Sequence, residues 1–408
     1  MPCMTNTKKH ILVVTQYYYP EPFRINDMTA EWVKRGYKVT VLTGIPNYPE
    51  GEFYDGYGHG KNMRETVNGV DIIRVPIIAR GHSALKLMMN YASFMFSAGR
   101  WFRKTDIKPD SIFIFEVSPM TQALPPVKFA GRKKIPCTIY VQDLWPENLE
   151  AVAGIHNKLI IRAVNKMVDR IYRGCTHIMA TSPSFKSRLE LRKSVWDAGG
   201  NSKVIYWPQY AEEFYVPTEK MILEDMPCDN RFKLIFTGNV GFAQGLDILP
   251  RVYTEIKAGD RECDFVIIGD GRYMDKLKAE VNAAGAADYF FFPGRKPAED
   301  IPKYLGACDA AFISFADNEL FNMTIPAKLQ SYMACGMPIL AAAGGETARI
   351  VTGANAGLCS PVGDVKGLAQ NLIKLMDTDL TDMRKASGEY AGRFFDKNKL
   401  MNEIEEII

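Results

Sequence analysis

The 408-residue chain has eight cysteines but no CxxC pair and no Cys/His cluster, and only five histidines. Cys3, Cys137, Cys175, Cys228, Cys263, Cys308, Cys335 and Cys359 are scattered through apolar segments. That pattern argues against a zinc site or a disulfide framework and suits a reduced compartment. No apolar run reaches the roughly eighteen residues a membrane-spanning helix needs. Near the start only Ile11 to Val14 follow Lys8, Lys9 and His10, far short of the apolar centre of a signal peptide. Neither charge dominates: 50 Lys and Arg against 47 Asp and Glu leave a formal +3. No nucleic-acid partner is therefore expected, and any basic surface must be local. Gly269-Asp-Gly271 would need a third glycine at 274 to make a dinucleotide fingerprint, and Met274 stands there, which disfavours NAD. Asp377-Thr-Asp379 looks like a metal-binding carboxylate pair, but its place in a helix-to-helix turn suits capping of helix 380–392, and no metal is expected. Repeats and low-complexity tails are lacking too.

What is present is ordinary globular material, 47% hydrophobic and 24% charged, enough for two domains with separate cores. Strands read at 11–15, 37–43, 111–115, 137–142, 176–181 and 203–206, with helices at 27–35, 84–104, 147–152 and 155–173 between them. After a proline-rich linker at 207–230, strands at 232–237, 264–268, 290–294, 310–315 and 338–342 begin a second series. Strands alternating with helices predict doubly wound parallel sheets, which bind ligands at the carboxyl ends of their strands. The expected division is 1–212, 213–390 and a final amphipathic segment, 391–408.

Residues 322–338 carry the most chemistry. Pro326 suits a first helical turn, Thr324 a cap, and Gly336 and Pro338 a stop. The first-turn amides and the helix dipole would favour an anion such as a diphosphate, and Lys328 would add a formal charge. A routine capped helix is the competing reading. Gly238 and Gly241, between a strand and a helix, would let backbone approach a phosphate. In the first half, the loop 16–26 is rich in aromatics and carries Glu21, Arg24 and Asn26. Glu116 and Asp143 stand at strand ends. A carboxylate beside a hydroxyl can take its proton, so Asp143 or Glu147 is the candidate base; an Asp143 that only caps helix 147–152 is the alternative.

Pro326, Lys328, Tyr332, Met333, Ala334, Gly336 and Pro338 resemble the donor-site helix of the group 1 family of retaining glycosyltransferases. Residues 44–57, Asp143-Leu-Trp-Pro-Glu-Asn and Gly238-Asn-Val-Gly-Phe-Ala-Gln244 resemble a subgroup that builds bacterial surface polysaccharides, with L-fucosamine-type transferases of O-antigen or capsule the nearest likeness. The resemblance implies an α/β protein in the GT-B arrangement: two facing doubly wound, Rossmann-like domains, acceptor-binding then donor-binding, with a cleft between them and the last helix crossing back. It implies a UDP-sugar donor held by Gly238, Asn239, Gly241, Gln244, Gly294, Arg295, Thr324, Ile325, Pro326, Lys328 and Ser331. Asp143, Glu147 and Glu116 become catalytic candidates, and Arg24, Asn26 and Trp145 acceptor-binding ones. The acceptor would be an undecaprenyl-diphosphate-linked saccharide, with neither cofactor nor metal. Two glutamates usual in the family fall at Met323 and Ser331, so a hydroxyl or backbone amides would replace them. The family's histidine position is Gln142.

Two further stretches suit an anionic membrane surface. Residues 84–104 end in Arg100, Arg103 and Lys104, with Trp101 and Phe102 expected to dip inward. Helix 155–173 places Lys158, Arg162, Lys166 and Arg170 on one face, opposite Leu159, Ile160, Ala163, Val164, Met167 and Ile171. Core burial and a solvated face are the competing readings. The expected location is cytoplasmic, peripheral to the inner face of the membrane. A UDP-sugar 2-epimerase and a non-catalytic sugar-nucleotide sensor on the same fold remain rivals.

Overall fold

The computed structural model describes residues 9–151, 154, 156–192, 195 and 203–408. Cys3, Lys8 and positions 152, 153 and 155 of the expected helices lie outside the described residues. The chain divides into two compact units, one of residues up to Trp207 together with Met401–Ile408, the other Pro208–Leu400.

The first unit is built on β1 (His10–Val14), β2 (Lys38–Thr43), β3 (Arg64–Val67), β4 (Val70–Arg74), β5 (Ser111–Glu116), β6 (Cys137–Val141), β7 (His177–Ala180) and β8 (Lys203–Tyr206). They form one sheet in the order β3-β4-β2-β1-β5-β6-β7-β8, parallel except for the β3/β4 hairpin. Ile11 to Val14 are wholly buried, the uninterrupted apolar run that a strand covered on both faces requires. The hairpin was not anticipated, yet its turn Asn68-Gly69 has positive φ at both residues, the dipeptide that a type I′ turn favours. The helices are α1 (Arg24–Lys34), α2 (Ala84–Lys104), α3 (Leu124–Lys133), α4 (Glu147–Ala151), α5 (Lys158–Arg173) and α6 (Pro183–Glu190). α1 starts three residues earlier than expected, so Arg24 and Asn26 stand on its first turn and not in the loop. The chain's end packs on this unit: Lys9 Nζ donates to the Ile408 carbonyl at 3.0 Å, and Arg35 pairs with Glu405 at 3.2 Å.

Two of the helices pack differently from the sequence reading. Phe102 is buried against Phe129, ring centroids 4.9 Å apart, so it does not dip outward. The exposed apolar side chains of α2 are instead Leu85, Met88, Met89 and Phe96, toward its start. On α5 only Val168, Ile171 and Tyr172 are buried, while Leu159, Ile160 and Ala163 stand exposed beside the basic residues. The apolar side of that helix is therefore covered only over its second half.

The second unit has β9 (Phe232–Thr237), β10 (Cys263–Ile268), β11 (Phe290–Gly294), β12 (Ala310–Ser314), β13 (Ile339–Ala342) and β14 (Gly357–Ser360), all parallel in the order β11-β10-β9-β12-β13-β14. Its helices are α7 (Ile248–Ala258), α8 (Met274–Ala283), α9 (Ile301–Gly306), α10 (Glu319–Asn322), α11 (Ala327–Ala334), α12 (Gly345–Gly353), α13 (Val365–Met376) and α14 (Thr381–Phe394); α15 (Lys397–Glu405) begins in this unit and ends in the first. The start of α10 is held by the Asn318 side chain accepting from the Leu320 amide at 2.8 Å. Asp379 accepts from the amide and hydroxyl of Thr381 at 3.0 and 2.7 Å, a cap at the start of α14. In each sheet the connections reverse direction between neighbouring strands, β1/β5 in one and β9/β12 in the other, and such switch points open a ligand crevice at the carboxyl ends.

Candidate active site

In the second unit the site is assembled where β9 gives way to the loop 238–245. Gly238 and Gly269 have φ of 128° and 133°, and a Cβ on Gly269 would collide with the Gly238 carbonyl; only glycine allows the two strand ends to lie so close. Gly269 N in turn donates to the Gly294 carbonyl at 3.0 Å, which brings the carboxyl ends of β9, β10 and β11 together. α11 faces this edge. Its Tyr332 hydroxyl accepts from the Thr237 amide at 2.7 Å, pinning the helix to the end of β9, and Gly336, with φ of 66°, terminates it. Pro326 is the N-cap, and no side chain caps the helix. Thr324 is not a cap: its hydroxyl donates to the Leu320 carbonyl at 3.0 Å. The first-turn amides are thus left without a side-chain acceptor.

Lys328 extends from this turn toward the glycine loop. Its ammonium donates to the Gln244 side-chain oxygen, lies 3.9 Å from the Phe236 ring centroid and borders Gly238. The side chain as a whole is half-buried, but among the described residues the ammonium has no carboxylate partner, and burial alone pushes its pKa down to about 7. A cation desolvated without a counter-ion is an arrangement that an anionic ligand would relieve. Gly238, Gln244 and Lys328 are therefore brought together. Asn239 is exposed on the same loop, with Gly241 two residues on. Arg295 is exposed just beyond β11, Ile325 is buried, and the buried Ser331 hydroxyl turns to the Ala327 carbonyl of its own helix at 3.2 Å.

In the first unit the carboxyl ends of five strands meet. Asp143 follows β6, and its Oδ2 accepts from the amide and hydroxyl of Ser118 at 2.7 and 2.6 Å. The Ser118 oxygen also accepts from Asn148 at 2.8 Å. Both bonds fall on one oxygen, which orients the carboxylate and leaves Oδ1 available. Asp143 is not the cap of α4. Glu147, the first residue of that helix, is held by Arg188 at 2.9 Å. Glu116 is fully buried and no donor meets either of its oxygens with ordinary hydrogen-bond geometry. Burial first, then the charge of Asp143, raise its pKa well above the usual carboxylate range, and the nearby amides of Asp143 and Gln142 offset only part of this. Trp145 is buried, with its carbonyl accepting from Arg192 at 3.3 Å. Arg24 is half-buried near Tyr140, and Asn26 donates to the Glu21 carbonyl at 2.7 Å.

Glu21 was named from sequence only as part of its loop, and Arg80 and Tyr91 were not singled out. Glu21 is buried and accepts from the amides of Tyr18, Asn47 and Tyr48 at 3.0, 2.7 and 2.7 Å; burial pushes its pKa up to about 7 against these three donors. It ties the loop after β1 to the loop after β2. Arg80, beyond β4, lies over the Tyr48 ring at 5.1 Å and donates to the Tyr17 hydroxyl at 3.3 Å. Tyr91 senses both Arg80 and Asp143, so these groups share one neighbourhood.

Residues 226–394 match the family of glycosyl transferases group 1, and residues 23–198 the glycosyl transferase 4-like domain. Neither match spans half of the chain; together they make it similar to the group 1 glycosyltransferases. It is 25% identical over 350 residues to WcaI of Escherichia coli K12, named as a colanic acid biosynthesis glycosyl transferase, covering 80% of this chain and 81% of that protein. Among solved structures, the sucrose-phosphate synthase of Thermosynechococcus elongatus superposes with a TM-score of 0.72 at 13% identity, over 98% of both chains. HepE of Anabaena, in complex with UDP, gives 0.64 at 15% identity, also over 98% of both. At such identities the likeness shows the fold, the two parallel-sheet domains of the GT-B class. Among the described residues no group of three or more His, Cys, Asp or Glu could hold a metal ion, and no helix is long and apolar enough to cross a membrane.

Proposed function

We propose that this glycosyltransferase moves a sugar, with retention of configuration, from a UDP-sugar to a lipid-linked saccharide in the assembly of a bacterial surface polysaccharide. The observation that carries the reading is the Lys328 ammonium, desolvated beside an uncapped helix start with no carboxylate near it. The departing diphosphate would complete that arrangement, and fixed amides and a cation at the leaving group are the largest expected electrostatic contribution to rate. Asp143, oriented by Ser118, serves the acceptor hydroxyl as base or orienting group; Glu147, engaged by Arg188, is the weaker candidate. The donor nucleotide is drawn from the UDP bound by the HepE relative in fold, the polysaccharide from the name of WcaI. An N-acetylated amino sugar such as N-acetyl-L-fucosamine is drawn from the likeness of the chain's motifs to L-fucosamine-type transferases. The protein works in the cytoplasm at the inner face of the membrane, and the exposed apolar residues of α2 support that placement.

The test is the melting temperature of wild type and Lys328→Ala with UDP, UMP and GDP. At 100 times Kd, binding adds about 2.7 kcal/mol, a rise of roughly 5 °C or more for domains of this size. A rise with UDP that Lys328→Ala abolishes supports the donor site. Absence of a rise with every nucleoside diphosphate at saturation sinks it.

A further inference from the structure

Arg80 lies in the Asp143 neighbourhood and, among the described residues, makes no ion pair. Its backbone amide donates to the buried Asn47 Oδ1 at 2.8 Å. Asn90, also buried, donates to the Ile78 carbonyl at 2.7 Å and to Asn47 at 3.4 Å, and accepts from Gln16 at 2.6 Å. This interior network fixes the Ile78–Arg80 segment to the loops after β1 and β2 and to α2. The guanidinium itself rests on Tyr48 and Tyr17 and, among the described residues, makes no ion pair. Stacking on an aromatic face leaves its remaining N–H groups in a fixed fork suited to phosphate oxygens.

Five residues beyond Arg80, α2 begins an exposed apolar stripe. Leu85, Met88, Met89 and Phe96 are 67, 65, 43 and 69% exposed. Spacings of three, four and seven place them on one helical face, over a rise of about 16 Å. Ile78, just before Arg80, is 42% exposed as well. A soluble surface rarely presents such a stripe without use.

Resting on the transferase reading above, we propose that Arg80 binds a phosphate of the acceptor's lipid diphosphate, and that the α2 stripe carries the hydrocarbon next to it. Charge and apolar surface are complementary to that one class of molecule: an anionic head with a long hydrocarbon tail. The saccharide is thereby presented to Asp143 from a fixed anchor, so acceptors lacking the diphosphate are poor because they are badly placed.

The test measures binding of farnesyl diphosphate, farnesol and inorganic pyrophosphate to the full chain by titration calorimetry, with saturating UDP present to block the donor site. Wild type should bind farnesyl diphosphate more tightly than either fragment. Arg80→Ala should weaken it about tenfold or more, with Arg80→Lys recovering part of the loss. Leu85→Ser/Met88→Ser should weaken farnesyl diphosphate but leave pyrophosphate unchanged. UDP affinity and melting temperature, unaltered in all variants, show that they are folded. Equal affinity for farnesyl diphosphate in Arg80→Ala, or pyrophosphate binding as tightly as the farnesyl ester, overturns this assignment while UDP binding keeps the transferase reading alive. Loss of UDP binding in wild type itself overturns that reading instead.

Discussion

Lys328 should take up a proton when the donor binds. In the free protein burial holds its pKa at about 7, against an ordinary 10.5. A diphosphate beside the ammonium would favour the charged form and return the pKa toward the ordinary value. At pH 8 the free protein then carries about 0.1 proton on this amine and the complex about 1, so uptake is about 0.9; at pH 6 it falls to about 0.1. Affinity should weaken about tenfold per pH unit above pH 7. Calorimetry with a UDP-sugar in pairs of buffers of different ionisation enthalpy reads the proton count directly. A UDP-sugar is preferable to UDP, whose terminal phosphate itself titrates near pH 6 by analogy with phosphate monoesters. Lys328→Arg, charged throughout, should bind with no uptake and no slope. Zero uptake at pH 8 by wild type would refute the idea of an ammonium desolvated for this ligand.

The same depressed pKa has a sign for stability. The unfolded chain binds the Lys328 proton more tightly, so the unliganded protein gains stability as pH rises from about 7 toward 10.5. A saturating donor should flatten that gain.

Asp143→Asn should lower transfer by about 10²- to 10⁴-fold with UDP affinity unchanged; equal loss of both would mean that the residue only holds the fold. Glu116 has a raised folded pKa, so its contribution is present at acid pH and lost as pH rises through that value. Glu116→Gln should therefore melt above wild type at pH 8, by about 2 °C or more, and the gain should vanish at pH 5 in a thermal scan. Tyr332→Phe leaves the buried Thr237 amide without its acceptor, which should cost about 1–3 kcal/mol in denaturant unfolding and weaken UDP binding by releasing α11. Arg74 is buried between Glu65 at 2.5 Å and the Tyr19 carbonyl at 2.7 Å; Arg74→Ala should cost about 3 kcal/mol or more, and a loss under 1 kcal/mol would show that the loop after β1 holds itself.

The parts legible in sequence were those encoded locally. Ile11 to Val14 and Ile112 to Phe115 announce covered parallel strands because every side chain is apolar, and Pro326, Lys328, Tyr332 and Gly336 lie on one short helix whose spacing is its geometry. What escaped was set by partners distant along the chain. Arg188 engages Glu147 from 41 residues away, and nothing near either residue signals it. Arg80, Tyr48 and Tyr17 belong to loops after three different strands and meet only because β4, β2 and β1 are neighbours in the sheet. α2 misled for a different reason: it is apolar on nearly all sides, so periodicity shows which residues share a face but not which face meets the core. The face left outside begins five residues beyond Arg80, a cation that makes no ion pair among the described residues. A residue without a partner leaves no pattern in sequence, because what marks it is an absence in space. Lys328 was legible as an anion-site candidate from its helix alone, but the desolvation of its ammonium between Gln244 and Phe236 was not, because those contacts come from a loop and a strand 84 residues or more earlier.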